Sequence, residues 1–248
     1  MSQNALPVDL LTIPLDGLAA YWLSLRKLTG SARHLKDLEN EAAFAADSYI
    51  RHLLSMAIGS LPAETIRKLA ELSANNECQL IDRQLDLMRV AVMDIAQGEN
   101  PLRTLAKLLA CLPQPQEHPE KMLEDAQTLL DKAHNKRGSK EAYRIVLRRP
   151  DEPLCSTLLF YVQLARRHGR PACRPFLPQC GSAFFADSMA LVLDGFDAPF
   201  VRKWMKKNKA TITAAMRRKM AMSADLCMAI YSRMPFDDMV HIVRSYLR

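Results

Sequence analysis

ECQLIDRQLDLMRVAVMDIA, residues 77–96, places Ile81, Leu85, Met88, Val92 and Ile95 three and four positions apart. That spacing lines one stripe of an α-helix, because residues so separated stack on the same face. Gly98 closes the run, and Pro101 opens the short helix PLRTLAKLLACL. Upstream, Ser60 and Pro62 introduce a helix over LPAETIRKLAELSA in the usual order of cap and early proline. Before it, RHLKDLENEAAFAADSYIRHLLSMAIGS reads as one helix ending at Gly59, with Leu35, Leu38, Ala42, Ala45, Tyr49, Leu53 and Ala57 on its stripe. Leu18, Trp22, Leu25 and Leu28 form the first periodic run, between Asp16 as N-cap and Gly30 as stop.

Downstream of residue 112 the pattern breaks and resumes. PQPQEHP, residues 113–119, holds three prolines and cannot continue a helix. EKMLEDAQTLLDKAH is helical again, and NKRGSK, residues 135–140, is a polar, basic link. The sequence therefore suggests an N-terminal helical region (1–112), a junction carrying one helix (113–140) and a C-terminal helical region (141–248). In the last, YRIVL and LLFYV have strand-like composition, but charges every third or fourth place assign KEAYRIVLRRP and DEPLCSTLLFYVQLARRHG to helices. RPACRPFLPQ is a proline-rich loop. GSAFFADSMALVLDG, DAPFVRKWMKKN, ATITAAMRRKMAM, SADLCMAIYSRM and PFDDMVHIVRSYLR follow as five further helices, with Asn208 ending the second. The expectation is an all-α protein of 12 to 13 helices, either a multi-helix bundle or an irregular armadillo- or HEAT-like stack. Scarce glycine, 8 residues in 248, agrees with it.

Several function classes lack their signatures. Neither GxGxxG nor GxxxxGK[ST] occurs, nor GxSxG, nor HExxH, nor a zinc-finger cysteine pair, so the reading is a non-enzymatic protein without cofactor or metal. His168, Cys173 and Cys180 cluster around the proline-rich loop with no standard ligand spacing. Asp237, Asp238 and His241 share one helical turn, where acids also complement a helix N-terminus. No apolar run reaches the roughly 20 residues of a membrane span, and no signal-peptide order is present, so the expected setting is soluble and cytoplasmic. Eight of the 13 methionines fall between Met189 and Met239, as core filler or as an adaptable surface.

The net charge of +7 is concentrated at one end: residues 201–248 carry eleven lysines and arginines against three acids. In FDAPFVRKWMKKNKATITAAMRRKM (196–220), Arg202, Lys203, Lys206 and Lys207 form two like-charge i,i+4 pairs. Phe200 and Trp204 are expected behind them, facing inward. Arg217 and Arg218 lie further on, near the end of the following helix, where its dipole favours cations. With the aromatics turned inward, an acidic protein surface suits these six cations, and sequence-independent nucleic-acid contact through phosphates is the rival.

ALVLDGFDAPFVRKWMKKNKATITAAMRRKMA, residues 190–221, resembles part of the C-terminal helical domain of the flagellar motor switch protein, a rotor component built of armadillo-like repeats. Leu193, Gly195, Phe200, Lys203, Trp204, Met205, Met216, Arg217 and Met220 carry the likeness, and EHPE (Glu117–Glu120) is similar to that family's EHPQ motif. Arg218 and Lys219 stand where the family has acids, which reverses the sign of its charged helix. The resemblance implies a helical-repeat scaffold or adaptor in a bacterial motility or secretion-type assembly.

Overall fold

The computed structural model describes residues 8–29, 34–135 and 139–248. Gly30, the expected helix stop, lies outside them, as do residues 136–138 of the basic link. The described residues contain ten α-helices, two 3-10 segments and no strand, so the chain is all-α. It divides into two compact units, Met1–Gln79 with Ile212–Arg248, and Leu80–Thr211. The proline-rich stretch expected as a junction lies inside the second of these.

Two helices are far longer than their local stop signals suggest. α4 runs unbroken over Ala63–Gln97 and α9 over Ala198–Tyr231, where the sequence reading separates two and three helices respectively. In α4 the buried positions Ile66, Ala70, Cys78, Ile81 and Leu85 stay in phase through Ser73–Asn76, which therefore passes as helix. In α9 Val201, Met205, Met216 and Met220 are buried on the same period, and Asn208 sits between them. Asn costs a helix about 0.7 kcal/mol relative to Ala, less than burying one methionine returns. Fusion of these runs leaves fewer helices than the 12 to 13 expected.

The first unit shows the opposite error. The single helix expected before Gly59 is two, α2 (His34–Phe44) and α3 (Ser48–Ile58). Asp47 makes the break. Its carboxylate is buried, accepts from the backbone N–H groups of Tyr49 and Ile50 at 3.0 and 3.2 Å, and takes a third N–H from Leu10 at 3.0 Å. Capping the helix that follows is better for this side chain than helical continuation. α1 (Leu15–Leu28) buries Trp22, whose indole N–H donates to Ser223 at 3.1 Å, and Arg26 donates to the Met234 carbonyl at 2.8 Å. α10 (Phe236–Leu247) buries Met239 and Val243.

The second unit is organised around α7 (Asp151–His168), which is buried on every side from Leu154 to Ala165, as only a central helix is. α5 (Pro101–Leu109) and α6 (Pro119–His134) pack along it. Tyr143, Phe160, Tyr161, Phe176 and Phe185 meet near it, their neighbouring rings 5.0–6.3 Å apart and mostly edge to face. Of the segment expected as a helix at KEAYRIVLRRP, only Lys140–Tyr143 coils, as a 3-10 turn. The remainder is irregular, turning at Leu147 and Arg148, the latter with a left-handed φ of 64°, and α4 holds it there. Gln84, wholly buried, donates to the Arg149 carbonyl at 2.6 Å and to Asp151 at 3.2 Å, and accepts the Arg148 N–H at 2.7 Å. Arg83 adds an ion pair to Asp151 at 3.0 Å. Arg170–Gln179 is likewise 3-10 rather than irregular, its prolines excluding the α-helical bond pattern. α8 (Ala183–Leu193) completes the unit.

Gln84 makes a direct test of this packing. Gln84→Ala removes the bonds to the Arg148 N–H, the Arg149 carbonyl and Asp151, and should cost about 2–4 kcal/mol in urea unfolding. Lys68→Met, which removes an ion pair to Glu64 on the exposed side of α4, should leave the midpoint unchanged. Equal effects of the two substitutions would refute the assignment of Gln84 as the clamp.

Candidate functional site

The basic face is built from the turn that precedes it. α8 ends at Asp194, Gly195 takes a left-handed φ of 85°, and the Phe196 N–H returns to the Leu191 carbonyl at 3.1 Å. This pattern reverses the chain tightly, and a side chain at Gly195 would be strained in it. Asp197 then caps α9, accepting the Phe200 N–H at 2.8 Å.

The turn brings Phe196 against Phe200. Their rings stack with centroids 5.0 Å apart and an interplanar angle of 25°, and they remain 48% and 45% exposed. This corrects the expectation that Phe200 packs inward as support. Trp204 is half-buried, which is nearer the expectation. Rotation of the helix explains the difference. Val201 and Met205 point into the core, so Phe200, one residue earlier, is turned about 100° away from Val201.

Lys209 holds the same rotation electrostatically. Its ammonium lies 2.9 Å from Asp82 and 2.6 Å from Asp86 of α4, with 18% of the side chain exposed. Sequence reasoning did not separate this lysine from its neighbours. The available signal was the acid pair Asp82 and Asp86, four apart on one helix and repulsive unless a cation joins them. Arg202, Lys203, Lys206 and Lys207 are exposed and form no ion pair among the described residues, with Lys203 and Lys207 on the side away from Lys209 and Arg202 two turns before it on its own line. Phe200, Lys203 and Lys207 share one line of the helix surface at i, i+3 and i+7. Lys203 and Lys207 thus share the side of the exposed aromatic Phe200, while Arg202 and Lys206 lie further round the helix.

The remaining basic residues of the stretch lie in the first unit. Arg217 is exposed; Arg218 donates to the Tyr246 carbonyl near the end of α10. Lys219 donates to the Leu10 carbonyl at 2.7 Å, and burial pulls its pKa below the ordinary lysine value. Lys209, Arg218 and Lys219 are therefore engaged within the fold. Of the methionines of this region, Met189, Met205, Met216, Met220 and Met222 are core, and Met234 is half-buried.

The other candidates stay apart. Cys173 is buried with its thiol pushed up to about 12 by desolvation, which suppresses the thiolate at neutral pH. Cys180 is half-buried and His168 exposed, and among the described residues no three His, Cys, Asp or Glu side chains gather so as to hold a metal ion. Asp237, Asp238 and His241 are exposed on α10. No helix among the described residues is long and apolar enough to cross a membrane. No family model matches the chain, and no curated protein or solved structure matches it.

The division of the cations into one internal and four external lysines and arginines is testable. Lys209→Met removes the cation shared by Asp82 and Asp86, Asp86 keeping its ion pair with Arg89, and should lower stability by about 1–2 kcal/mol in urea unfolding. Lys203→Met and Lys207→Met should leave the midpoint where it is. A Lys209 variant as stable as wild type would show that the pair does not orient α9.

Proposed function

We propose that the protein is a non-enzymatic helical scaffold or adaptor that docks an acidic protein surface through Arg202, Lys203, Lys206 and Lys207. The observation that carries this reading is that the first two turns of α9 hold four exposed cations without ion pairs, two of which, Lys203 and Lys207, share the side of Phe200 in the exposed Phe196–Phe200 stack. Protein interfaces combine an apolar, often aromatic centre with a polar rim, and charge complementarity at the rim raises the encounter rate and selects the partner. Two like-charge i,i+4 pairs oppose helix formation slightly, and an acidic partner relieves that cost. Arg217 and Arg218 belong to the other unit, and the proposal does not depend on them. The resemblance of residues 190–221 to the motor switch protein supports an assembly of the bacterial motility or secretion type.

A second reading has an observation of its own. Exposed aromatic rings beside cations also serve as stacking platforms for unpaired bases, so the same face suits sequence-independent nucleic-acid binding. The exposed Phe200 strengthens this rival relative to the sequence expectation that it points inward. Phe196 and Phe200 cover one face of each other, however, leaving less ring surface for bases than an open platform offers.

The two readings separate on salt and nuclease. Wild-type protein and the Lys203→Glu/Lys207→Glu variant are used to recover partners from lysate with and without nuclease, and mixed-sequence single-stranded DNA is titrated in parallel. The docking reading predicts a nuclease-resistant protein partner that the variant fails to recover. DNA affinity falling by orders of magnitude between about 50 and 200 mM salt, with every partner lost to nuclease, would instead establish counterion-driven nucleic-acid binding. Identical recovery by both proteins would refute both.

A further inference from the structure

A cleft of about 520 Å3 opens in the second unit, away from the basic face, where α5 and α6 each pack on α7. From α7 it is walled by Gln163, Arg166 and Arg167, at i, i+3 and i+4 and hence on one face. The N-terminus of α5 contributes Pro101 and Leu102, and α6 contributes Leu123, Glu124 and Gln127. The volume is that of a small-molecule site.

Three features of the wall describe a ligand. Gln163 is only 7% exposed, yet its Oε1 has no hydrogen-bond partner. Either end of a glutamine amide is a hydrogen-bonding group, so turning the amide over leaves the same position unmatched. Leaving such a group buried and unpaired is costly to the fold. The oxygen itself is closed to solvent, so a ligand pairs with this amide, and removes the cost, when the side chain turns toward the cleft. Leu102, 65% exposed on the lip, presents a large apolar side chain with Leu123 nearby in the wall. The guanidinium groups are held but unsaturated. Arg166 donates to the Gly98 carbonyl and Arg167 to Gln127, both at 2.6 Å, and each keeps further N–H donors. Glu124 is the single acid in the wall, against two guanidinium groups.

We infer that this cleft binds an N-acylated amino acid with an apolar side chain. Its amide pairs with Gln163, its carboxylate takes the free donors of Arg166 and Arg167, and its side chain covers Leu102 and Leu123. A bare phosphate would meet the arginines alone and leave the glutamine and both leucines unused. An uncharged apolar molecule would ignore the guanidinium groups, for which planar carboxylates are the matching shape. The same chemistry is carried by a free N-acyl amino acid and by the C-terminal residue of a peptide.

The test is a heteronuclear NMR titration of the full chain with N-acetyl-L-leucine, N-acetyl-L-leucinamide and the peptide Ala-Ala-Ala-Leu. A ligand of this size should saturate with Kd near about 1 mM. The expected result is saturable shifts at Leu102, Leu123 and the Gln163 side-chain amide with N-acetyl-L-leucine, and about tenfold weaker binding of the carboxamide, the loss of a charge-assisted contact. Peptide binding of equal strength assigns the site to a chain terminus, and exclusion of the peptide assigns it to the free small molecule. Gln163→Leu removes the unmatched amide and should abolish binding while leaving the unliganded fold at least as stable as wild type. Leu102→Glu, at an exposed position, sets an acid against the ligand carboxylate and should abolish binding whatever the fate of the first variant. Absence of saturable shifts in wild type up to about 10 mM, or unchanged binding in Leu102→Glu, overturns the assignment.

Discussion

Lys209 reaches from α9 to Asp82 and Asp86 of α4, at 2.9 and 2.6 Å, and this contact sets the rotation of α9 in the second unit. A helix can turn about its own axis at little cost in backbone energy, so its orientation depends on what its side chains bury. Val201 and Met205 supply the apolar part of that burial, and Lys209 continues their line with a charge. Two carboxylates four residues apart on α4 repel one another unless a cation lies between them. With Lys209 turned inward, the geometry of 3.6 residues per turn sends Lys203 and Lys207 outward, and Arg202 and Lys206 are exposed nearer the packed side. The same rotation exposes Phe200, and the turn at Gly195 sets Phe196 beside it.

The fold class was legible in the sequence because it rests on period alone. Ile81, Leu85, Met88, Val92 and Ile95 repeat as a helix does, and all five are buried on α4. Boundaries were less legible, and the failures have distinct causes. Asn208 and Ser73–Asn76 look like local stops, yet the buried stripes on either side are in phase, and burial outweighs propensity. Asp47 is the reverse case. The apolar stripe continues through it, but its side chain meets three backbone N–H groups, one from Leu10, 37 residues away. KEAYRIVLRRP is not one helix for a similar reason, since the fully buried Gln84 of α4 bonds the backbone of Arg148 and Arg149, 64 and 65 residues away.

The candidate site was legible in part. The sequence shows which residues are cationic and which pairs are four apart. It does not show that Lys209, Arg218 and Lys219 are engaged inside the fold, because their partners Asp82, Asp86, Tyr246 and Leu10 lie far along the chain. Phe200 was misread because an aromatic at helical spacing is usually core, and only the rotation imposed by Val201, Met205 and Lys209 decides otherwise. Gln163 shows no sign of its role in sequence. It stands among the apolar residues of LLFYVQLA and becomes conspicuous only when its buried amide is found without a partner.

The central claim is that one side of α9 is committed to the fold and the other is free for a partner. Lysine-labelling kinetics followed by mass spectrometry measure this most directly. In the free protein Lys203, Lys206 and Lys207 should acetylate rapidly and Lys209 slowly. With the recovered protein partner bound, the first three should become slow while Lys209 is unchanged. Rapid labelling of Lys209 in the free protein, or partner binding that leaves Lys203, Lys206 and Lys207 as reactive as before, would contradict the account.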